Sequence, residues 1–190
     1  MQEKVLDDID RKIIAILREN GRSKLVELSK FIGFTSMGVK KRVAKLVERN
    51  IVNITAMLNK SALNLQLAFI SVNVDDPNSF TRFITHFEDC PKVIAAFTRR
   101  NETSKIFMLV FGETNGALNG LLDAVKKQNG VVDAELQSLD DVHYMPHLPI
   151  RVEKMLRDSP PCGARCISCI YYQKNNCSGC PTSPEYRGTI

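Results

Sequence analysis

The sequence predicts an α+β protein made of two small domains and a cysteine-rich tail, and three observations lead to this prediction. Residues 1–58 carry apolar side chains at helical spacing in three short runs. Residues 64–142 alternate between strand-like and helix-like runs. Five of the six cysteines lie between Cys162 and Cys180. A chain of 190 residues is long enough to bury two small cores and to carry such a tail.

Three helices are predicted in the N-terminal domain, residues 1–58. The first spans residues 8–20, the second is about two turns long and ends at Gly33, and the third spans residues 36–49 with Thr35 or Ser36 as its cap. Residues 51–58 are rich in β-branched side chains and predict a small strand, or wing, after the third helix. A short turn between the second and third helices is typical of a winged helix-turn-helix, whose helix after the turn enters the DNA major groove.

The excess positive charge of the chain lies in this N-terminal domain. Residues 1–52 contain 12 Lys and Arg against 7 Asp and Glu, whereas residues 53–190 contain 14 of each class. Because phosphate neutralisation supplies most non-specific affinity for nucleic acid, this segregation indicates that one end of the chain binds double-stranded DNA. The start of a recognition helix reaches base edges and its flanks reach phosphates. The predicted base-facing residues are Ser36, Met37, Lys40 and Lys41, and the predicted phosphate contacts are Arg42 and Lys45.

The second domain, residues 64–142, is predicted to have the order βαββαβ. Its predicted strands and helices are residues 67–74, 77–87, 93–98, 106–111, 115–128 and 132–137. This order is that of the ferredoxin-like fold, a four-stranded antiparallel sheet with both helices on one face. Phe69 and neighbouring apolar residues would then be exposed on the other face of a single chain, so a homodimer or a higher homo-oligomer is predicted.

The tail, residues 162–181, follows a predicted tether at residues 143–161. Its sequence CGARCISCIYYQKNNCSGCP holds two Cys-x2-Cys pairs, and each pair can direct two thiolates at one metal. About twenty residues cannot build a hydrophobic core, so a bound metal is expected to supply the folding energy. The main interpretation is structural zinc, and an iron–sulfur cluster is the alternative because of the fifth thiol and the proline after the last cysteine. The candidate ligands are Cys162, Cys166, Cys169, Cys177 and Cys180.

Two stretches resemble the Lrp/AsnC, or feast/famine, family of transcription regulators. LDDIDRKIIAILRENGR, residues 6–22, looks like the opening helix of that family, and FTSMGVKKRVAKLVERNIV, residues 34–52, is similar to its recognition helix and following strand. The resemblance covers residues 5–142. It implies a dimer that binds palindromic operator DNA, often assembled further through the ferredoxin-like domains, and in many members the sensing of an amino acid. At the family's glycine-and-aspartate turn this chain has residues 99–103, RRNET. The resemblance therefore does not identify the effector that this chain senses.

The leading hypothesis is a cytoplasmic, sequence-specific transcription regulator whose DNA binding or assembly is modulated by the metal or redox state of the tail. No membrane partner is expected, because the apolar runs are far shorter than the ~20 residues that span a bilayer. Cysteines clustered in this way do not suit a secreted disulfide scaffold. No grouping of serine, histidine and carboxylate indicates an enzyme. The alternatives are an architectural DNA-binding protein with a structural zinc knuckle, and a metal or redox protein that uses the helix-turn-helix for protein interaction.

Overall fold

The computed structural model of the chain describes residues 6–100, 102–152, 160–161, 163, 165–188 and 190. The chain divides into two compact units, Met1–Ala56 and Met57–Ile190. Within the ranges described, no helix has both the length and the apolar character needed to cross a bilayer.

The first unit contains three helices around one small core. They are α1 Asp8–Glu19, α2 Leu25–Ile32 and α3 Ser36–Glu48. The fully buried side chains of this core come from all three helices, and they are Ile13, Leu28, Val39 and Leu46. Burying an aliphatic side chain of this size stabilises the fold by about 1.5–3 kcal/mol, so these few residues hold the helices together. The predicted helix-turn-helix is therefore confirmed.

The chain that follows α3 differs from its prediction. The β-branched run at residues 51–58 predicts a strand, but the structure has no strand at residues 51–57, and β1 is only Leu58–Asn59. Ile51 and Val52 instead donate their backbone N–H groups to the Leu46 carbonyl, at 2.9 and 3.3 Å, and pack against the three-helix core. The strand prediction is wrong for these residues because their side chains are used to cover helices, and packing overrides β propensity.

The second unit has the predicted βαββαβ order. Its elements are β2 Gln66–Val74, α4 Pro77–Phe87, β3 Val93–Thr98, β4 Lys105–Gly112, α5 Asn115–Lys126 and β5 Val131–Leu139. The four strands form an antiparallel sheet in the order β3-β4-β2-β5. Alternate residues of β2 are buried against both helices, so the core lies on one face of the sheet. The prediction of a four-stranded antiparallel sheet with its helices on one face is confirmed.

The segment after β5 also packs on the second unit. His147–Leu148 forms β6, which pairs with β1 in a two-stranded antiparallel ladder. Ile150 is buried in a small core together with Leu65, Leu67 and Phe111. His147, Leu148 and Ile150 belong to the predicted tether at 143–161, so part of that segment contributes to the fold. In the tail, a 3-10 helix, Cys166–Ser168, precedes the short α6, Ile170–Gln173.

Candidate DNA interface and candidate thiol site

The turn between α2 and α3 is built on Gly33. Its backbone has a φ of +74°, a left-handed conformation that glycine adopts without a steric penalty. The Gly33 N–H donates to the Ser29 carbonyl at 2.9 Å, which ends α2. The Thr35 hydroxyl then accepts the Gly38 N–H at 3.1 Å and caps α3. One helix therefore ends and the next begins within a short turn, as a helix-turn-helix requires.

Most of the predicted DNA-contacting residues lie on the exposed side of α3. The exposed ones are Met37, Lys40, Lys41 and Lys45. Residues three and four apart share a helix face, so these side chains form one surface. Ser36 is half-buried, and its hydroxyl lies 3.1 Å from that of Ser29 in α2. The assignment of these residues to base edges and phosphates stays a prediction.

Arg42 lies in a different environment from the lysines of α3. Its guanidinium is 2.6 Å from the Asp7 carboxylate and 2.8 Å from that of Asp10, so it joins α3 to the start of α1. The Asp10 backbone N–H and the Arg42 guanidinium hold the pKa of the Asp7 carboxyl below its usual 3.8. The phosphate contact predicted for Arg42 stays a prediction, and the structure adds a role in holding two helices together. Sequence periodicity does not indicate this ion pair.

The sheet of the second unit has an apolar face on the side away from α4 and α5. Phe97 is 51% exposed and Phe69 is 37% exposed. In the strand register Phe97 lies opposite Phe107, and Phe69 lies opposite Leu109. Cross-strand neighbours of this kind have side chains in contact on one face, so the aromatic residues form a continuous surface.

Five thiols line a cavity between the tail and the βαββαβ part of the second unit. Four belong to the tail, Cys166, Cys169, Cys177 and Cys180, and the fifth is Cys90, which follows α4. The structure therefore brings the two predicted Cys-x2-Cys pairs together. The spacing of the cysteines in the sequence does not connect Cys90 with the tail. Cys162 lies outside the described residues. In the described part of the chain, no group of three or more His, Cys, Asp or Glu side chains is arranged to hold a metal ion, so the metal ligands stay predictions.

Polar groups surround the thiols of this cavity. The Gly179 N–H donates to Cys177 Sγ at 3.4 Å, and Lys92 Nζ lies 4.0 Å from the same sulfur. Cys180 Sγ lies 3.1 Å from the Thr182 hydroxyl. Burial raises the pKa of the Cys166 thiol. A metal that binds here must therefore displace protons, which makes its affinity depend on pH.

The tail packs closely against α5 through two glycines. A Cβ built on Gly116 would overlap the backbone carbonyl of Asn176, and one built on Gly120 would lie 4.0 Å from Cys169 Sγ. The Thr114 hydroxyl donates to the same Asn176 carbonyl, and the Tyr186 hydroxyl donates to Glu113 at 2.9 Å. Sequence reasoning missed this contact surface. Two glycines four apart inside a helix are its signal, since glycine weakens a helix and allows close approach.

Comparison with known proteins identifies relatives of the chain. A profile of winged helix-turn-helix DNA-binding domains matches residues 6–53. The HTH-type transcriptional regulator FL11 of Pyrococcus furiosus is 28% identical over 150 residues, which cover 77% of this chain and 98% of FL11. The HTH-type transcriptional regulator LrpA of Mycobacterium tuberculosis is 30% identical over 123 residues, which cover 64% of this chain and 81% of LrpA. The chain belongs to the Lrp/AsnC family.

The fold of this Lrp/AsnC protein agrees with its relatives. The structure of AsnC from E. coli matches it with a TM-score of 0.64, over 74% of this chain and 96% of AsnC. The identity is 20%, so this likeness concerns the fold alone. The protein is a DNA-binding transcription regulator of the Lrp/AsnC type and not an enzyme. The chain extends beyond the parts that these relatives match, and the thiol cavity draws no support from them.

Proposed function

We propose that this Lrp/AsnC regulator recognises specific DNA sequences as a homo-oligomer, with α3 as the helix that contacts base edges. The observation that carries the proposal is the exposed surface of Met37, Lys40 and Lys41 on the first turns of α3. Lysine donates to guanine in the major groove and to phosphates, and a helix after a tight turn fits that groove. In this proposal Ser36 also faces bases, and Lys45 and Arg42 contact phosphates.

Replacing the lysines of α3 tests this recognition. Lys40→Ala or Lys41→Ala should cost about 1–3 kcal/mol of affinity for a selected duplex if the side chain contacts a base. If it contacts a phosphate, binding to all sequences should weaken and the slope of log affinity against log salt should fall by about 1. Anisotropy titrations with selected and random duplexes over a salt series separate the two.

Lys126→Ala is the matched control for these variants, because Lys126 is an exposed helical lysine in the second unit. Unchanged DNA affinity in both α3 variants would contradict the proposal that α3 is the recognition helix. Equal affinity of the wild-type protein for selected and random duplexes would favour the architectural DNA-binding protein. Absence of any salt-dependent DNA binding would favour the protein-interaction alternative.

The homo-oligomer is supported by the apolar face of the sheet. Phe69, Phe97, Phe107 and Leu109 lie together on the face of the sheet opposite α4 and α5. Large exposed apolar surfaces are rare on monomers, and a second copy of the same sheet would bury this one symmetrically. Two copies would also present two recognition helices to a palindromic site.

We further propose that the metal or redox state of the tail modulates DNA binding or assembly. The support is the position of the thiol cavity, since Cys166 and Cys177 belong to the same unit whose sheet carries the apolar face. Thiolate ligands need a reducing compartment, and the cytoplasmic location expected from the cysteine pattern stays a prediction.

Metal removal tests the modulation. DNA affinity and oligomer mass of the full chain should change after treatment with a chelator, and Cys169→Ser should reproduce the change without a chelator. Asn119→Ala, at an exposed position of α5, serves as the control variant. Equal affinity and mass under all conditions would contradict the modulation and leave the DNA-binding proposal intact.

A further inference from the structure

The thiol cavity has room for more than one atom. Its volume is about 40 Å³, whereas a single water molecule needs roughly 10–15 Å³ of such space. The cavity therefore has space for a bound group among its twelve lining residues, which include the four thiols of the tail.

The two cysteine pairs reach this cavity from separate, well-defined turns. Cys166 begins the 3-10 helix and Cys169 follows its last residue, and the Cys169 N–H donates to the Cys166 carbonyl at 3.0 Å. Cys177 and Cys180 flank a turn at Gly179, where φ is +94°. Together the pairs supply four thiols to one space, which is the ligand number that two-iron and four-iron clusters use.

The surroundings of the cavity suit a buried anionic group. Its walls include the apolar side chains of Ala117, Leu121 and Tyr172. The Gly179 N–H lies 3.4 Å from Cys177 Sγ, and the Lys92 ammonium lies 4.0 Å from the same sulfur. Hydrogen bonds to the sulfurs and a nearby positive charge stabilise iron–sulfur clusters and set their potential.

We propose that Cys166, Cys169, Cys177 and Cys180 bind an iron–sulfur cluster seated between the tail and α5. This inference rests on the metal binding proposed for the tail and names the occupant of the site. The Cys169 sulfur lies 4.0 Å from the position of a Cβ on Gly120, so this thiol lies against α5. The cluster thereby joins the tail to the helix layer of the second unit.

Metal and sulfide analysis of the full chain, purified without oxygen, tests the proposal. The expected result is iron and acid-labile sulfide in equal amounts with a broad visible absorption band. About one zinc per chain without a visible band would overturn the cluster and keep the metal-binding proposal. Absence of bound metal, also after reconstitution with ferrous iron and sulfide under a thiol reductant, would overturn both. DNA binding is measured on the same samples, so a protein that binds no cluster can be distinguished from one that binds no DNA.

Three cysteine variants and a matched control assign the ligands. Cys169→Ser and Cys180→Ser should lose most of the iron and sulfide. Asn119→Ala, at an exposed position of α5 outside the cavity, is the control. Cys90→Ala tests the fifth thiol of the cavity, and it should keep its iron if the four tail thiols are the ligands. Circular dichroism checks that each variant keeps its helices and strands. Loss of as much iron from Cys90→Ala as from Cys169→Ser would overturn the four-thiol assignment.

A helix variant tests the seat on α5. Gly116→Ala places a methyl group where the Asn176 carbonyl lies, so the tail must shift. The variant should bind less iron per chain and lose it several-fold faster to a chelator than the wild-type protein. Asn119→Ala changes an exposed residue of the same helix and should behave like the wild type. Equal iron content and equal loss rate in Gly116→Ala would contradict the seat on α5.

Discussion

Asp7 and Asp10 form a reciprocal cap at the start of α1, and one arginine from α3 binds both. The Asp7 carboxylate accepts the Asp10 N–H at 2.8 Å, and the Asp10 carboxylate accepts the Asp7 N–H at 3.3 Å. Arg42 donates to both carboxylates, so its charge compensates two negative groups that lie close together. Such a cap normally stabilises only the start of its own helix. Here Arg42 also binds the two capping carboxylates, so the cap helps to hold α3 in position.

The ion pair predicts an acid-sensitive contribution to stability. The pKa of Asp7 is lower in the folded chain than its usual 3.8. Ionised Asp7 therefore stabilises the folded state above that value, and the contribution is lost as the pH falls through the lower, folded pKa. Asp7→Asn should lower Tm at neutral pH and flatten the fall of Tm with pH below 3.8.

Thermal unfolding of the full chain, followed by circular dichroism over a pH series, measures this effect. Asp8→Asn is the control, since Asp8 is exposed and lies next to Asp7 in the first turn. If Tm falls with pH in the same way for Asp7→Asn and for the wild-type protein, the prediction is wrong.

At the scale of the elements, the cap of α3 is a second sensitive point. The Thr35 hydroxyl accepts the Gly38 N–H at 3.1 Å, and removal of such a cap costs about 1 kcal/mol. Thr35→Ala should therefore lower the free energy of unfolding of the first unit by about that amount. Because the capped turn carries Met37 and Lys40, DNA affinity should fall as well.

Urea unfolding and anisotropy titration measure the two effects of Thr35→Ala. Thr55→Ala is the matched control, because the Thr55 hydroxyl caps no helix. A loss of stability no larger than that of the control would contradict the capping argument.

The sequence predicts most elements because their hydrophobic periods are strong. The residues 93–98 predicted as a strand are the observed β3, and the predicted helix at 8–20 differs from α1 by one residue. The pairing of β1 with β6 was beyond sequence reasoning, because each strand has two residues and its partner is far along the chain. The run at 51–58 fails as a strand prediction because its first residues pack on helices, a choice made by tertiary contacts.

The candidate sites were predictable to different degrees. The lysines of α3 and the cysteine pairs carry their own chemical signal, so their positions follow from spacing. Lys92 and Cys90 come near the tail only through the fold of the second unit. No local pattern marks a residue for a contact of this kind, and the same holds for the approach of Arg42 to Asp7.

For the whole molecule, the apolar face of the sheet predicts the state of association. Phe97 is 51% exposed on that face, in the edge strand β3 and opposite Phe107. A carboxylate there would have to lose its water in a sheet-to-sheet interface, which is costly even with Arg99 and Lys105 beside Phe107. Phe97→Glu should therefore shift the protein toward the monomer, measured by light scattering after size-exclusion chromatography.

Tyr144→Glu controls for the loss of an exposed aromatic side chain, because Tyr144 is 89% exposed outside the sheet. An unchanged mass for Phe97→Glu would show that another surface joins the subunits. An equal reduction of the mass by Tyr144→Glu would also contradict the sheet face as the interface.

Gly116 gives the tail a thermodynamic signature. In an ordinary helix, alanine is more favourable than glycine by about 1 kcal/mol. In the full chain the Asn176 carbonyl lies where the alanine methyl group would be, so the same replacement forces two segments apart. Gly116→Ala should consequently destabilise the full chain and stabilise a chain that ends before the tail. If Gly116→Ala lowers the free energy of unfolding of the full chain but raises that of the shortened chain, the tail packs against α5. A rise in both chains would show that it does not, and unfolding curves alone measure the difference.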